Sequence, residues 1–185
     1  PEAATRTVKL GRSLTEGDFL RRAPVAKETV LARVIGVVEN QAPTRSLLRD
    51  LPVINGAVPG DEKQDVCRIA LVERHRGTGS VVNAFVSGFG YKGRCAMAST
   101  VAHDSHHMIV VGTDGACMAQ AANRLGEVGG GVVFIRDGVE TALIELPVAG
   151  LMSTERAETV AAKAETLIRA MRDAGCELNN AYMQH

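Results

Sequence analysis

The stretch VVFIRDGVETALIEL, residues 132–146, sets the fold class. Two apolar, β-branched runs, 132–136 and 139–146, flank the pair Asp137-Gly138. A two-residue turn of that type accepts the positive φ angles a tight hairpin requires, so the stretch is expected to be two antiparallel strands. Working outward, residues 29–38 (TVLARVIGVV) and 65–73 (DVCRIALVE) read as further strands, the first as a buried one. Residues 80–87, 94–102 and 108–111 are expected to add three more. Glycines 88, 90 and 93 lie between the first two of these. Residues 44–50 read as a loop or helical turn, and Asn55-Gly56 supplies a second tight hairpin turn.

Two helices interrupt this pattern. Thr113 or Asp114 can cap a helix running to Leu125, with Met118, Ala122 and Leu125 spaced for one buried face. A second begins after Ser153 and carries Ala157, Val160, Ala161, Ala164, Leu167, Ile168 and Met171, until Gly175 ends it in a left-handed cap position. A short helical segment is expected at 15–20 within an otherwise irregular arm, 1–28. Strands outnumber helices and neighbouring pairs form hairpins. The fold class is therefore α+β, a mainly antiparallel or mixed sheet layered with helices, in one domain.

Composition narrows the functional classes. With 21 Lys and Arg against 21 Asp and Glu, the chain has no net charge to favour nucleic acid or an anionic membrane. Aromatic residues make up 3% and there is no Trp, which argues against base-stacking platforms. No apolar run approaches the roughly 20 residues of a membrane span. Cys67, Cys95, Cys117 and Cys176 form no CxxC pair, so they read as free thiols of a cytoplasmic protein. The chain starts at Pro1 rather than Met and ends without a terminating signal, which suggests a fragment of a longer polypeptide.

Chemistry concentrates in two places. His103-Asp104-Ser105-His106-His107 holds three of the five histidines, between two apolar segments. Imidazoles and a carboxylate together can move protons near neutral pH, bind a metal or grip a heteroaromatic ring. The spacing fits no closed zinc site, and the alternative is a polar inter-strand loop satisfying its own backbone. The second cluster is Glu73-Arg74-His75-Arg76-Gly77-Thr78-Gly79, where an Arg or His could hold an anion or ring nitrogen and glycines would let backbone approach closely. A solvated turn is its alternative. Gly88-Phe-Gly90-Tyr-Lys-Gly93 matches GxGxxG in letters only, because a strand rather than a helix is expected to follow it. The zinc nucleobase-deaminase signature, HxE with PCxxC, is absent.

ASTVAHDSHHMIVVGTD (98–114) closely resembles the signature stretch of the C-terminal domain of bacterial and archaeal adenine deaminases. The resemblance continues through VIGVVENQ (34–41), ALVERHRGTG (70–79), GFGYKG (88–93), NRLGEVGGGVVFIRDG (123–138) and ELPVAGLMS (145–153). It implies a purine-salvage hydrolase of the amidohydrolase superfamily that converts adenine to hypoxanthine and ammonia. In that family a metal-dependent barrel, typically with manganese or iron, performs the chemistry. The barrel's His-x-His ligands do not occur in these residues, so the resemblance implies that the barrel and its metal lie in the same protein but outside this chain, as do the last C-terminal strands. Carried over by position, His103, Asp104 and His106 become the candidate catalytic groups. Ser105, Glu73, His75 and Thr78 become candidate substrate-binding groups, with no metal ligand. His107 carries less weight, since many relatives have Asn there. The two loops would close or support the barrel's purine site, and a homo-oligomer is expected. The alternative function is a non-catalytic binding or oligomerisation module.

Overall fold

The computed structural model describes residues 4–24, 26–179 and 181–183. Both extremities of the expected fragment, including Pro1 and His185, lie outside them. Ten strands are present: β1 (Arg21–Arg22), β2 (Thr29–Gly36), β3 (Arg45–Pro52), β4 (Ala57–Val58), β5 (Val66–Val72), β6 (Val81–Ser87), β7 (Cys95–Ser99), β8 (Met108–Gly112), β9 (Gly131–Arg136) and β10 (Val139–Glu145). Helix α1 spans Gly115–Val128 and α2 spans Ala157–Asp173. Eight strands form one sheet in the order β10-β9-β7-β8-β5-β6-β2-β3, and β1 pairs with β4 in a small separate one. Every pairing in the large sheet is antiparallel except the short parallel contact of β2 with β6. This is the expected α+β architecture.

Alternation along the central strands divides the core between two faces. On one face Cys67, Ile69, Met97, Val111 and Phe134 pack with Leu167 and Met171 of α2. On the other, Ala70, Val72, Ala96, Ala98 and Val133 meet Met118, Ala122 and Leu125 of α1. With both faces covered, β5, β7, β8 and β9 are nearly continuous apolar runs. Their short length, with β-branched residues in β5, β8 and β9, still marks them as strands.

The local signals act as expected. Asp137 and Gly138 have φ of 51° and 79°, and Asn55 and Gly56 have 51° and 74°. Asp114 caps α1 by accepting from the Cys117 N–H at 2.9 Å, an interaction that contributes about 1 kcal/mol. Gly129 ends α1 at φ 84°, one turn beyond the expected Leu125. The GxGxxG letters lead into β7, and the amides of Gly88 and Gly90 donate to the Asp65 carboxylate at 2.8 and 2.7 Å. That segment is a strand connection.

Two expectations are corrected. Residues 29–38 are not a buried strand: β2 alternates exposed positions with partly or fully buried ones, with Leu31 61% exposed, because one of its faces is left uncovered beside the edge strand. Residues 44–50 are no loop or helical turn: they belong mostly to β3, paired along its length with β2 at the edge of the sheet. An edge strand with one solvated face tolerates Arg45, Arg49 and Asp50, which obscured its alternation. The arm also has structure. Leu14 and Phe19 are buried against α1, and a 3₁₀ turn at Glu16–Phe19 occupies the expected helical segment. In α2, Leu167 and Met171 are buried while Ala157 and Ala161 are exposed, so the buried stripe is narrower than its sequence spacing implies.

Candidate functional site

β5 and β8 are antiparallel neighbours, and Val72 sits opposite Met108. The loop leaving β5 and the loop entering β8 therefore emerge at the same end of the sheet. That register brings the two polar motifs together. The His75 Nε2 lies 3.1 Å from the Ser105 carbonyl oxygen, and the His75 and His107 ring centroids are 4.7 Å apart. A carbonyl can only accept, so Nε2 of His75 carries the proton and Nδ1 is left as an acceptor.

Glu73 organises its own loop. One carboxylate oxygen accepts from the N–H groups of His75 at 2.6 Å and Arg76 at 2.8 Å. The other accepts from the Thr78 N–H and hydroxyl, both at 3.0 Å. These donors, Thr78 first, pull the carboxyl from its usual value down to about 2. A depressed pKa adds stability only above the unfolded-state value and loses it as pH falls toward the folded one. Glu73→Gln should accordingly lower the melting temperature by an amount that is full above about pH 5 and vanishes toward pH 2. Thermal denaturation of both proteins across that range checks it. A gap that does not change with pH would show that the charge of Glu73 is not what holds the turn.

The close approach that Gly77 and Gly79 permit is taken by the chain's own residues 9–12. The Lys9 N–H donates to the Arg74 carbonyl at 2.8 Å. A side chain at Gly11 would collide with the Gly77 backbone. Arg12 donates to the Gly79 carbonyl at 3.1 Å while its fork grips Asp18. That grip holds the Asp18 carboxyl well below the usual carboxylate range.

Arg74, which by sequence could hold an anion or ring nitrogen, instead lies buried at the centre of this region, 1% exposed. Its guanidinium donates to the carbonyls of His106 at 2.5 Å, Ala149 at 3.2 Å and Thr100 at 3.4 Å. The neighbouring Thr100 hydroxyl donates to the Gly150 carbonyl at 2.6 Å and accepts from the Gly131 N–H at 2.8 Å. Three separate segments, 100–106, 131 and 149–150, are thus tied to the end of β5. Burial lowers the Arg74 pKa from its ordinary value, yet a guanidinium stays protonated in proteins. No signal in ERHRGTG distinguishes the buried Arg74 from the exposed Arg76; the difference arises only from tertiary structure.

Above this hub, His103, Asp104 and Ser105 are exposed and His106 is half-buried. The segment turns rather than running extended: the His106 N–H donates to the Ala102 carbonyl at 2.7 Å, with φ 49° at His106. His106 Nδ1 lies 2.9 Å from the Val101 carbonyl, which places the proton on Nδ1 and makes Nε2 an acceptor. The His103 ring meets that of His106 nearly edge-on at 5.4 Å. The region therefore presents one oriented imidazole acceptor, a second imidazole and a carboxylate on a braced surface. Such a set can accept and return protons or hydrogen-bond a nitrogen heterocycle. Of the seven candidates, His75 meets the Ser105 backbone and His103 meets His106, with Ser105 and Asp104 on the same turn as that second pair. Glu73 and Thr78 are bound to each other within the loop beneath. No group of three or more His, Cys, Asp or Glu among the described residues is placed to hold a metal ion. No helix among them is long and apolar enough to cross a membrane.

Comparison with known proteins shows the family to which the chain belongs. The chain is 66% identical over its whole length to an adenine deaminase of Mesorhizobium japonicum, of which it covers 31%. It is 67% identical to adenine deaminase 3 of Rhizobium meliloti, again with 31% covered. Over 99% of the chain it is 43% identical to an adenine deaminase of Moorella thermoacetica, covering 30% of that protein. The chain thus spans about three tenths of the length of these relatives. A profile of the adenine deaminase C-terminal domain matches residues 41–185, which hold both polar motifs and the strands that join them, and the chain belongs to that family.

Proposed function

We propose that this chain is the C-terminal part of an enzyme that hydrolyses adenine to hypoxanthine and ammonia in purine salvage. The surface built from residues 73–79 and 103–107 closes or supports the active site of that enzyme's barrel. The observation that carries this is the joining of two polar motifs, distant in sequence, into one braced surface with its exposed groups turned outward. The names of the relatives support the reaction.

In the hydrolysis, the oxygen of water bonds to C6 of the purine and the C6–N bond breaks. Water loses two protons: one goes to the departing nitrogen, which leaves as ammonia, and the other ends on ring N1 as C6 becomes a carbonyl. His103, Asp104 and His106 are the groups proposed to hold or move those protons, with His106 Nε2 poised to accept. His75 and Ser105 shape the surface that the purine meets. Glu73 and Thr78 act by holding that loop rather than by touching substrate, because their polar atoms bond each other and the loop amides. The manganese or iron that the family resemblance implies is assigned, with the barrel, to the rest of the polypeptide.

Ammonia release from adenine with Mn²⁺ tests the proposal, comparing this chain alone with the full-length protein. Activity is expected only in the full-length form. His103→Ala and Asp104→Ala in that form should each lower turnover on the order of 10²-fold with an unchanged circular dichroism spectrum. Normal turnover in both would remove the catalytic role and leave the surface as an interdomain contact.

A further inference from the structure

One face of the sheet is only partly covered. Helix α2 packs on β9 and β10. Farther along the same side the apolar residues Leu48 of β3, Leu31 of β2 and Val82 of β6 are 58%, 61% and 63% exposed. Register places all three on one side: Leu48 opposes Arg33, two residues from Leu31, and Ile35 opposes Val86, four residues from Val82. The half-buried Leu71 and Ile109 continue the face, since Leu71 opposes both Val82 and Ile109. Where β2 and β6 part, a groove of about 300 Å³ reaches through to the opposite side, lined there by Arg21, Val58 and Phe85 and on this side by Leu31, Arg33 and Ala84. A contiguous apolar face of this kind marks a surface that another body covers.

We infer that this face is the seat of the N-terminal remainder of the same polypeptide, docked against β3, β2 and β6 and continuous with the His75–His107 corner. The inference rests on the reading that the chain is one part of a longer enzyme. Three observations select the occupant. The relatives carry about seven tenths of their length outside the region matched here, and the matching family is a C-terminal domain. The face leads directly into the polar loops: Ile109 stands two residues after His107, and Val72, at the end of β5, opposes Met108. A body seated on Leu71, Val82 and Ile109 is therefore at the candidate site as well. Finally, Arg33 and Asp50 stand among the apolar residues, opposite Leu48 and Leu31. That mixture suits an interdomain contact better than a closed core.

The test uses the full-length protein with Leu48→Cys or Val82→Cys, labelled with a maleimide and read by peptide mass spectrometry. The four cysteines of this region are all buried and leave the background low. Docking predicts labelling more than tenfold slower than at the same site in denaturant. Val139→Cys, at a 61% exposed position near the opposite edge, serves as an accessible reference. A photo-crosslinking side chain at position 48 or 82 then reads the occupant. Adducts to the N-terminal remainder within one polypeptide are expected. Slowing of less than tenfold, an adduct of doubled mass from a second copy, an adduct confined to residues 1–185, or no adduct would each overturn the inference. None of these readings depends on turnover. Failure here is thus separable from failure of the deaminase proposal, which the ammonia assay reports.

Discussion

Gly131→Ala is expected to destabilise the fold by about 3–5 kcal/mol, a large fraction of the roughly 5–15 kcal/mol that keeps an ordinary domain folded. Gly131 begins β9 at φ 146°, a conformation that essentially only glycine adopts. A Cβ built there would run into the Ile144 carbonyl of the paired strand β10, with Glu145 Cα only 3.3 Å away. Both neighbours are backbone, so no side chain can rotate aside. Moving β9 to relieve the clash would also strain Thr100, which bonds both the N–H and the carbonyl of Gly131. Gly138→Ala is the internal comparison: its φ is 79°, but nothing lies within 4 Å of the added carbon. Conformational strain alone should cost about 1 kcal/mol there. Urea denaturation of the two variants measures the difference, and equal losses would refute the steric argument.

Arg74→Ala should cost a similar amount, about 3–5 kcal/mol, for a different reason. The substitution strips donors from the His106, Thr100 and Ala149 carbonyls and leaves a void at the junction of three segments. Among the described residues Arg74 is in no ion pair, so no carboxylate is left unpaired. The loss comes from buried carbonyls and packing. Arg74→Lys should recover less than half, because one ammonium cannot reproduce a planar fork aimed at separated oxygens. Under the proposed function, both variants of the full-length protein should also reduce adenine turnover at temperatures where they remain folded, since the carbonyl gripped most closely belongs to His106. Chemical denaturation, with amide exchange across residues 101–107, checks both parts. Wild-type behaviour of Arg74→Lys would show that the guanidinium geometry is not needed.

The ease with which each part of this structure reads from sequence follows from how local its cause is. The hairpin at Asp137-Gly138 and the Asp114 cap are fixed by neighbours within a few residues. By contrast, the burial expected of 29–38 failed because cover on its faces depends on the assembled sheet. β5 and β9 are apolar enough to be recognised as strands. β3 failed that reading because RSLLRDLP lies at an edge, where one side needs no apolar residues. The polar motifs were legible as chemistry, but their meeting was not. It depends on β5 pairing with β8 across the intervening β6 and β7. The inward burial of Arg74 and the mutual bonding of Glu73 with Thr78 depend on that same assembly.

The brief parallel contact between β2 and β6 has a consequence for the order in which the molecule assembles. Ile35 and Gly36 meet Val86 and Ser87, and among the described residues this two-pair contact is the only ladder joining the β2–β3 hairpin to the other six strands. Closing so long a loop forfeits chain entropy before two residue pairs can return any of it. The hairpin can form early by itself through its eight-pair register, from Thr29–Pro52 to Gly36–Arg45. Its attachment has to wait until β5 and β6 present a finished edge and Val34, Leu51, Val58 and Phe85 can close their small core.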